Sequence, residues 1–199
     1  YGIGKAGGSL TFYIGDNENE AVRKIAPDGW VSTIAGNNVA GSVNGAGVGT
    51  YMAEPTAAVV DDQGYVFARH AQAVASNYRV VMISPDLLAT TFSTETAMVA
   101  VVVDRSGSTV HIADGTNVRR YGLKSKALPA PTADIGTGVA GSTNGNWATM
   151  RYGKTIGIKL DTVSTDLIFT DHLYHNVRRA SPVGRVNTFA GSGADQTLD

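Results

Sequence analysis

An all-β fold made of repeated four-stranded units is what this sequence predicts, and three observations carry the expectation. Leu10 to Gly36, LTFYIGDNENEAVRKIAPDGWVSTIAG, divides into three short runs rich in β-branched and aromatic residues, separated by two polar turns. The same plan recurs three more times along the 199 residues. Glycines and turn residues interrupt every apolar run within a few residues, which leaves no room for a helical period. Units of roughly 40–60 residues with four strands each have the size of propeller blades. A β-propeller with four countable blades is the expected architecture.

The first unit sets the template. Tyr1–Lys5 is its strand a, and Leu10–Gly15 is strand b, ending at Asp16. Asn17–Glu20 is a polar break. Ala21–Ile25 (AVRKI) then alternates apolar and basic residues, the period of a strand with one buried face. Pro27-Asp28-Gly29 is turn chemistry, with proline fixing φ and glycine tolerating φ > 0. Val31–Ala35 is strand d, closed by Gly36.

Later units match these landmarks. Tyr13–Asp16 corresponds to Phe67–His70, Ile112-Ala113-Asp114 and Phe169-Thr170-Asp171; Val22–Ile25 corresponds to Val80–Ile83, Val118–Tyr121 and Val177–Ala180. Strands a are expected at Ala57–Asp61, Val99–Asp104 and Gly157–Asp161, and Phe189-Ala190-Gly191 repeats Ile34-Ala35-Gly36. The blades are thus expected at about 1–36, 55–93, 97–140 and 155–191 of one propeller region, 1–199.

The strings VRKIAPDGWVSTIAG and GSVNGAGVGTYMAEPTAAVVDDQGYVF resemble the NHL-repeat family of β-propellers. That family pairs a strand ending in Ala-Asp with an Arg-rich strand, then a Pro-Asp-Gly turn and an Ala-Gly close. The resemblance spans essentially the whole chain and is weakest in the second unit. It implies a ring of about six blades, so four is a departure and a larger ring or assembly is expected.

Composition narrows the function classes. The chain is 43% hydrophobic and only 17% charged, enough for a sizeable core. A net charge of −1 supplies no basic field for nucleic acid. Without cysteine there is no disulfide or thiol chemistry. No run approaches the ~20 apolar residues of a membrane-spanning helix, and Ala97–Val103 reads as a strand a instead. The sequence starts at Tyr1, as a processed chain or a piece of a longer one would. The compartment is not written in it; an extracellular or cell-surface setting is favoured.

Asp16 with Arg23, Asp114 with Arg119 and Asp171 with Arg178 occupy equivalent positions in three units. In the second unit the equivalents are His70 and Val81, so both charges are missing together. Paired loss is what a direct contact predicts, because either charge alone would be stranded on a partly buried strand. The pairs therefore read as salt bridges within blades. The second unit reads as a degenerate repeat with a b–c loop lengthened by Ala71–Asn77.

Four antiparallel strands put the d–a and b–c connections on one face of a propeller. Two d–a connections are long, Asn37–Pro55 and Gly141–Lys154, and share a Gly-Ser-x-Asn-Gly phrase at Gly41–Gly45 and Gly141–Gly145. Part of the repeat itself, the phrase reads first as a turn packed over the neighbouring blade. Long loops on a rigid scaffold are also where binding residues sit. Asn44, Tyr51, Asn144 and Trp147 are the candidate binding residues there, joined by His172, Tyr174 and His175 from the fourth b–c loop.

Three sharper readings are weaker. Asp171, His172 and His175 could suggest a metal, and histidine with tyrosine in a propeller is similar to the peptidyl-hydroxyglycine amidating lyases, which use metal-bound histidines. But His111 lies within a strand and His70 in another blade, so no third ligand has convincing spacing. Some NHL domains bind RNA on a basic face. Here Arg119-Arg120 and Arg178-Arg179 put successive residues on opposite sides of a strand, and Lys124 and Lys126 add little. Gly2–Gly8 superficially resembles a phosphate loop but lacks its spacing and its helix. The expectation is a non-enzymatic binding or scaffold module for a protein partner, with no cofactor. A metal-dependent propeller lyase or hydrolase is the first alternative and an RNA-binding NHL domain the second.

Overall fold

A computed structural model describes residues 3–5, 10–71, 77–95, 98–104, 108–115, 117–123 and 131–194. Sheet one is β1 (Ile3–Lys5), β2 (Phe12–Asp16), β3 (Ala21–Ile25) and β4 (Val31–Gly36), antiparallel in chain order. A two-residue strand β5 (Gly45–Ala46) and a 3-10 turn at Gly47–Gly49 follow. Sheet two is β6 (Ala53–Val60), β7 (Val66–Ala71), β8 (Tyr78–Ile83) and β9 (Leu88–Glu95), with β5 added outside β9. Sheet three is β10 (Met98–Val103), β11 (Thr109–Asp114), β12 (Asn117–Gly122) and β13 (Pro131–Ile135). After β14 (Gly145–Asn146), sheet four is β15 (Ile158–Leu160), β16 (Leu167–Asp171), β17 (Asn176–Ala180) and β18 (Arg185–Ala190), with β14 outside β18.

The inner strands pack in succession, β1 on β6, β6 on β10 and β10 on β15. Among the described residues no comparable packing joins sheet four back to sheet one. Each gap is filled by the alternate side chains of the facing strands. Tyr13, Val22 and Ile34 meet Ala68, Val81 and Ile83 in the first gap. In the second, Phe92 packs edge-on against both Phe67 and Tyr121, at centroid distances of 5.3 and 5.4 Å. Ala113, Val118 and Ile135 meet Met150, Tyr152 and Phe169 in the third. The chain is a β-propeller of four-stranded blades.

Details depart from the expected boundaries. β6 begins at Ala53 rather than Ala57, across a register break, and excludes Asp61, whose carboxylate instead accepts from the backbone N–H of Gln63 and Tyr65. β5 and β14 were invisible in the sequence because two residues have no period. Most of the Gly2–Gly8 and Ala71–Asn77 segments, with Lys124 and Lys126, lies outside the described residues. No helix among the described residues is long and apolar enough to cross a membrane.

Candidate functional site

The two long linkers run differently from a loop perched on one face. Each descends along the outer edge of the next sheet, where β5 pairs with Leu88–Ala89 and β14 with Arg185–Val186. Each then doubles back through an isolated bridge, Val43 to Tyr51 or Thr143 to Arg151. The outer strand of a blade is an unpaired edge, and the linker covers it. Gly41 and Gly141 allow the doubling back: a Cβ on either would stand 2.7 Å from Tyr51 Cβ or 2.9 Å from Arg151 Cβ.

Side chains from the sheets fasten these linkers. Arg178, fully buried, donates to Asn144 Oδ1 at 2.8 Å and to Ser142 Oγ at 3.0 Å. Thr188 donates to the same Asn144 oxygen at 3.2 Å. In sheet two, Arg79 donates to the Ser42 carbonyl at 2.7 Å and to Asn44 Oδ1 at 3.4 Å, and Thr91 to Asn44 at 2.9 Å. Asn44 and Asn144 are therefore committed to holding the repeat phrase on the neighbouring blade. Tyr51 is 37% exposed and lies over Gly41.

The Asp–Arg pairs exist within blades but differ in strength. Arg23 Nε donates to Asp16 at 3.0 Å. Arg119 lies 3.4 Å from Asp114 and also bonds Glu95 at the end of sheet two. Arg178 and Asp171 are both fully buried and 3.6 Å apart, an ionic contact too long for a hydrogen bond. Asp171 spends its other oxygen on the Gly153 N–H at 2.9 Å.

His172 and His175 are exposed in the turn between β16 and β17, and Tyr174 beside them is half-buried. The two histidines, without Tyr174, border a shallow groove with Thr170, Asn176 and Ala190. Asp171 lines the same groove but spends one oxygen on the Gly153 N–H, and among the described residues no group of three or more metal-ligating side chains converges.

Trp147 parts company with the other candidates. Its backbone N–H donates to the Gly184 carbonyl at 2.9 Å, at the opposite end of sheet four, by the c–d turn. Its ring faces Arg120 at 5.7 Å, in the gap between sheets three and four. Each arginine doublet is split across its strand: Arg119 turns to sheet two and Arg120 to sheet four, while Arg178 is buried and Arg179 pairs with Asp166.

One surface escaped the sequence reading. Phe12, Ile14, Ile25 and Val31 occupy in sheet one the register positions held by Val66, Ala68, Ile83 and Ala89 in sheet two. In sheet four those positions are Leu167, Phe169, Ala180 and Val186. All eight residues of sheets two and four are at most 2% exposed, because the preceding sheet covers them. In sheet one the same face is uncovered: Val31 is 54% exposed and the other three are half-buried. A shallow depression lies among Ile14, Arg23, Ile25 and Val31. The repeat alignment holds the signal for it, since the apolar pattern persists in sheet one although no described sheet lies against that face.

No protein-family model matches the chain, and no curated protein matches it. Solved structures do, as propeller-like proteins of six blades. A nidogen/laminin complex is similar at 13% identity and a TM-score of 0.67, covering 96% of this chain and 64% of that one. A catalytically inactive virginiamycin B lyase from Staphylococcus aureus with quinupristin aligns at 14% identity and a TM-score of 0.62, covering 95% and 54%. An auxiliary nutrient binding protein from Bacteroides thetaiotaomicron aligns at 16% identity and a TM-score of 0.53, covering 91% and 54%. The likeness is one of fold, and the chain spans between half and two thirds of the length of these three.

Proposed function

We propose that this chain is a protein-binding module of an NHL-like propeller, and that the outer face of sheet one is where it meets a further blade of the same repeat. The observation that carries this reading is the register: four positions buried in sheets two and four are apolar and uncovered in sheet one. What covers those positions elsewhere is always a preceding four-stranded sheet, so the fitting occupant is another such sheet. Similar six-bladed structures, about half of whose length the chain spans, support it. The long-linker face remains a place for a protein partner through Tyr51, His172 and His175, whereas Asn44 and Asn144 are already engaged.

The test is Val31→Glu, directly opposite the apolar Ile25, introduced into the polypeptide as its natural source makes it. A covered face predicts a loss of about 3 kcal/mol in unfolding free energy, as for any charge buried without a partner. A loss under about 0.5 kcal/mol, the value for a solvated surface position, overturns the proposal.

A further inference from the structure

Between sheets three and four, at the end of the c–d turns, lies a cavity of about 290 Å³. Its floor is apolar, from Ile135, Leu160 and Leu167. His111 and Arg120, directly paired across β11 and β12, face it together, and Trp147 closes it from the linker. None of this belongs to the blade-docking face or the linker anchors.

The fold supplies its own control. Tyr13 and Lys24 are the same cross-strand pair in the gap between sheets one and two. There the linker residue that donates to the c–d turn is Gly47, bonded to the Leu87 carbonyl at 2.9 Å as Trp147 is to Gly184. The backbone arrangement is satisfied by glycine, so the indole at position 147 is not required by the path of the chain.

Two polar groups at the cavity are also unspent among the described residues. Trp147 Nε1, a donor only, and His111 Nδ1 are buried without hydrogen-bond partners among the described residues. Buried polar atoms are ordinarily paired, so the donor-only indole points to an absent acceptor, while His111 Nδ1 donates or accepts according to its tautomer. Among the described residues the Arg120 guanidinium has no carboxylate within ion-pair reach, unlike Arg119, Arg178 and Arg179. Asp104 lines the same cavity and accepts from the Ser108 N–H at 2.7 Å, the Ser108 hydroxyl at 2.5 Å and the Thr109 hydroxyl at 2.8 Å. Its charge offsets that of Arg120, which disfavours a dianion and suits a monoanion.

We propose that this cavity binds a small monocarboxylate with an apolar body about one ring in size, its carboxylate on Arg120 and the Trp147 indole N–H. The volume is roughly twice the ~150 Å³ that holds one benzene in an engineered apolar cavity. His111 is held neutral, its pKa lowered to about 4 chiefly by burial, so it adds no second cation.

The experiment uses Trp30→Phe protein, in which Trp147 is the sole tryptophan. Cyclohexanecarboxylate should change Trp147 fluorescence saturably in the low millimolar range. Cyclohexanecarboxamide, equal in shape and uncharged, should bind at least tenfold more weakly, and inorganic phosphate should not compete. Arg120→Met should weaken binding about tenfold or more. Arg120→Lys, which restores the side-chain type of the sister gap, keeps the test valid if the methionine variant fails to fold, and should lose several-fold. Lys24→Met should leave binding unchanged. Absence of a saturable change, equal binding of the amide, competition by phosphate, a loss with Lys24→Met, or undiminished affinity in the Arg120 variants that fold would each overturn the proposal.

Discussion

Arg178 donates to Asn144 Oδ1 at 2.8 Å, and Arg79 does the same for Asn44 from a strand position two residues earlier in the repeat. Val81 stands where Arg178 would, directly opposite Ala68 and 2% exposed, so a guanidinium there would be buried with no carboxylate at position 70, whereas Arg79 lies directly across from His70 and is only half-buried. Moving the arginine two residues along keeps it on the same face of the strand and keeps the linker bond. The second blade has lost its ion pair without losing its linker anchor.

Arg178→Met should therefore be costly, about 3–5 kcal/mol in urea unfolding, because it strands Asp171 and releases the linker. Asn144→Ala should cost about 1–2 kcal/mol, the toll of lost and orphaned hydrogen bonds. Similar values for both variants would show that the ion pair adds little beyond the linker bonds.

Arg23 offers the contrast. It and Asp16 are each 28% exposed, so solvent screens the pair. Arg23→Met should cost no more than about 1 kcal/mol in the 199-residue chain. A larger loss there would mean that a covering surface already desolvates the pair.

Gly41→Ala and Gly141→Ala should each destabilise by about 1–3 kcal/mol, since the Cβ meets another residue's Cβ rather than a flexible tip. Thermal unfolding read by circular dichroism would show it. Gly184→Ala makes a different comparison: a Cβ there meets nothing, and only the φ of 94° resists it.

Stability should fall on acidification before the carboxylates titrate. His70 and His111 are both lowered to about 4, chiefly by burial. For His70, the Ala71 carbonyl opposes the shift and Arg79 adds to it. An unfolded histidine titrates near 6.5, so between about pH 6.5 and 4 the unfolded chain binds the extra protons. Stability is therefore complete above that window and declines within it as pH drops, by up to about 1.4 kcal/mol per pH unit for each histidine. Urea midpoints between about pH 4.5 and 7 check this, and His111→Gln should flatten the slope.

Much of the fold was legible because period-2 patterning and turn chemistry act locally. Val22-Arg23-Lys24-Ile25 declares a strand whatever surrounds it, and the Asp–Arg pairs followed from joint loss at His70 and Val81. The binding candidates were less legible because their roles depend on partners distant in sequence. Asn144 is 34 residues from Arg178, and nothing local marks its side chain as an anchor rather than a free group. The sequence presents Trp147 as a loop residue, but a two-residue strand carries it to the other end of the blade. Lining up Gly47 with Trp147, one hundred residues apart, was the available clue to the cavity.

Because β5 and β14 are zipped to the sheets that follow them, the longest connections in the chain are poor places to cut or splice. A protease or an inserted domain there must first peel an edge strand from its ladder, and with it the arginine clasp. The short tip at Asp28-Gly29 bonds within its own turn and meets no linker strand among the described residues. Trp30 beside it is 72% exposed, and a fluorophore or fused domain belongs there rather than in the loops whose length invites it.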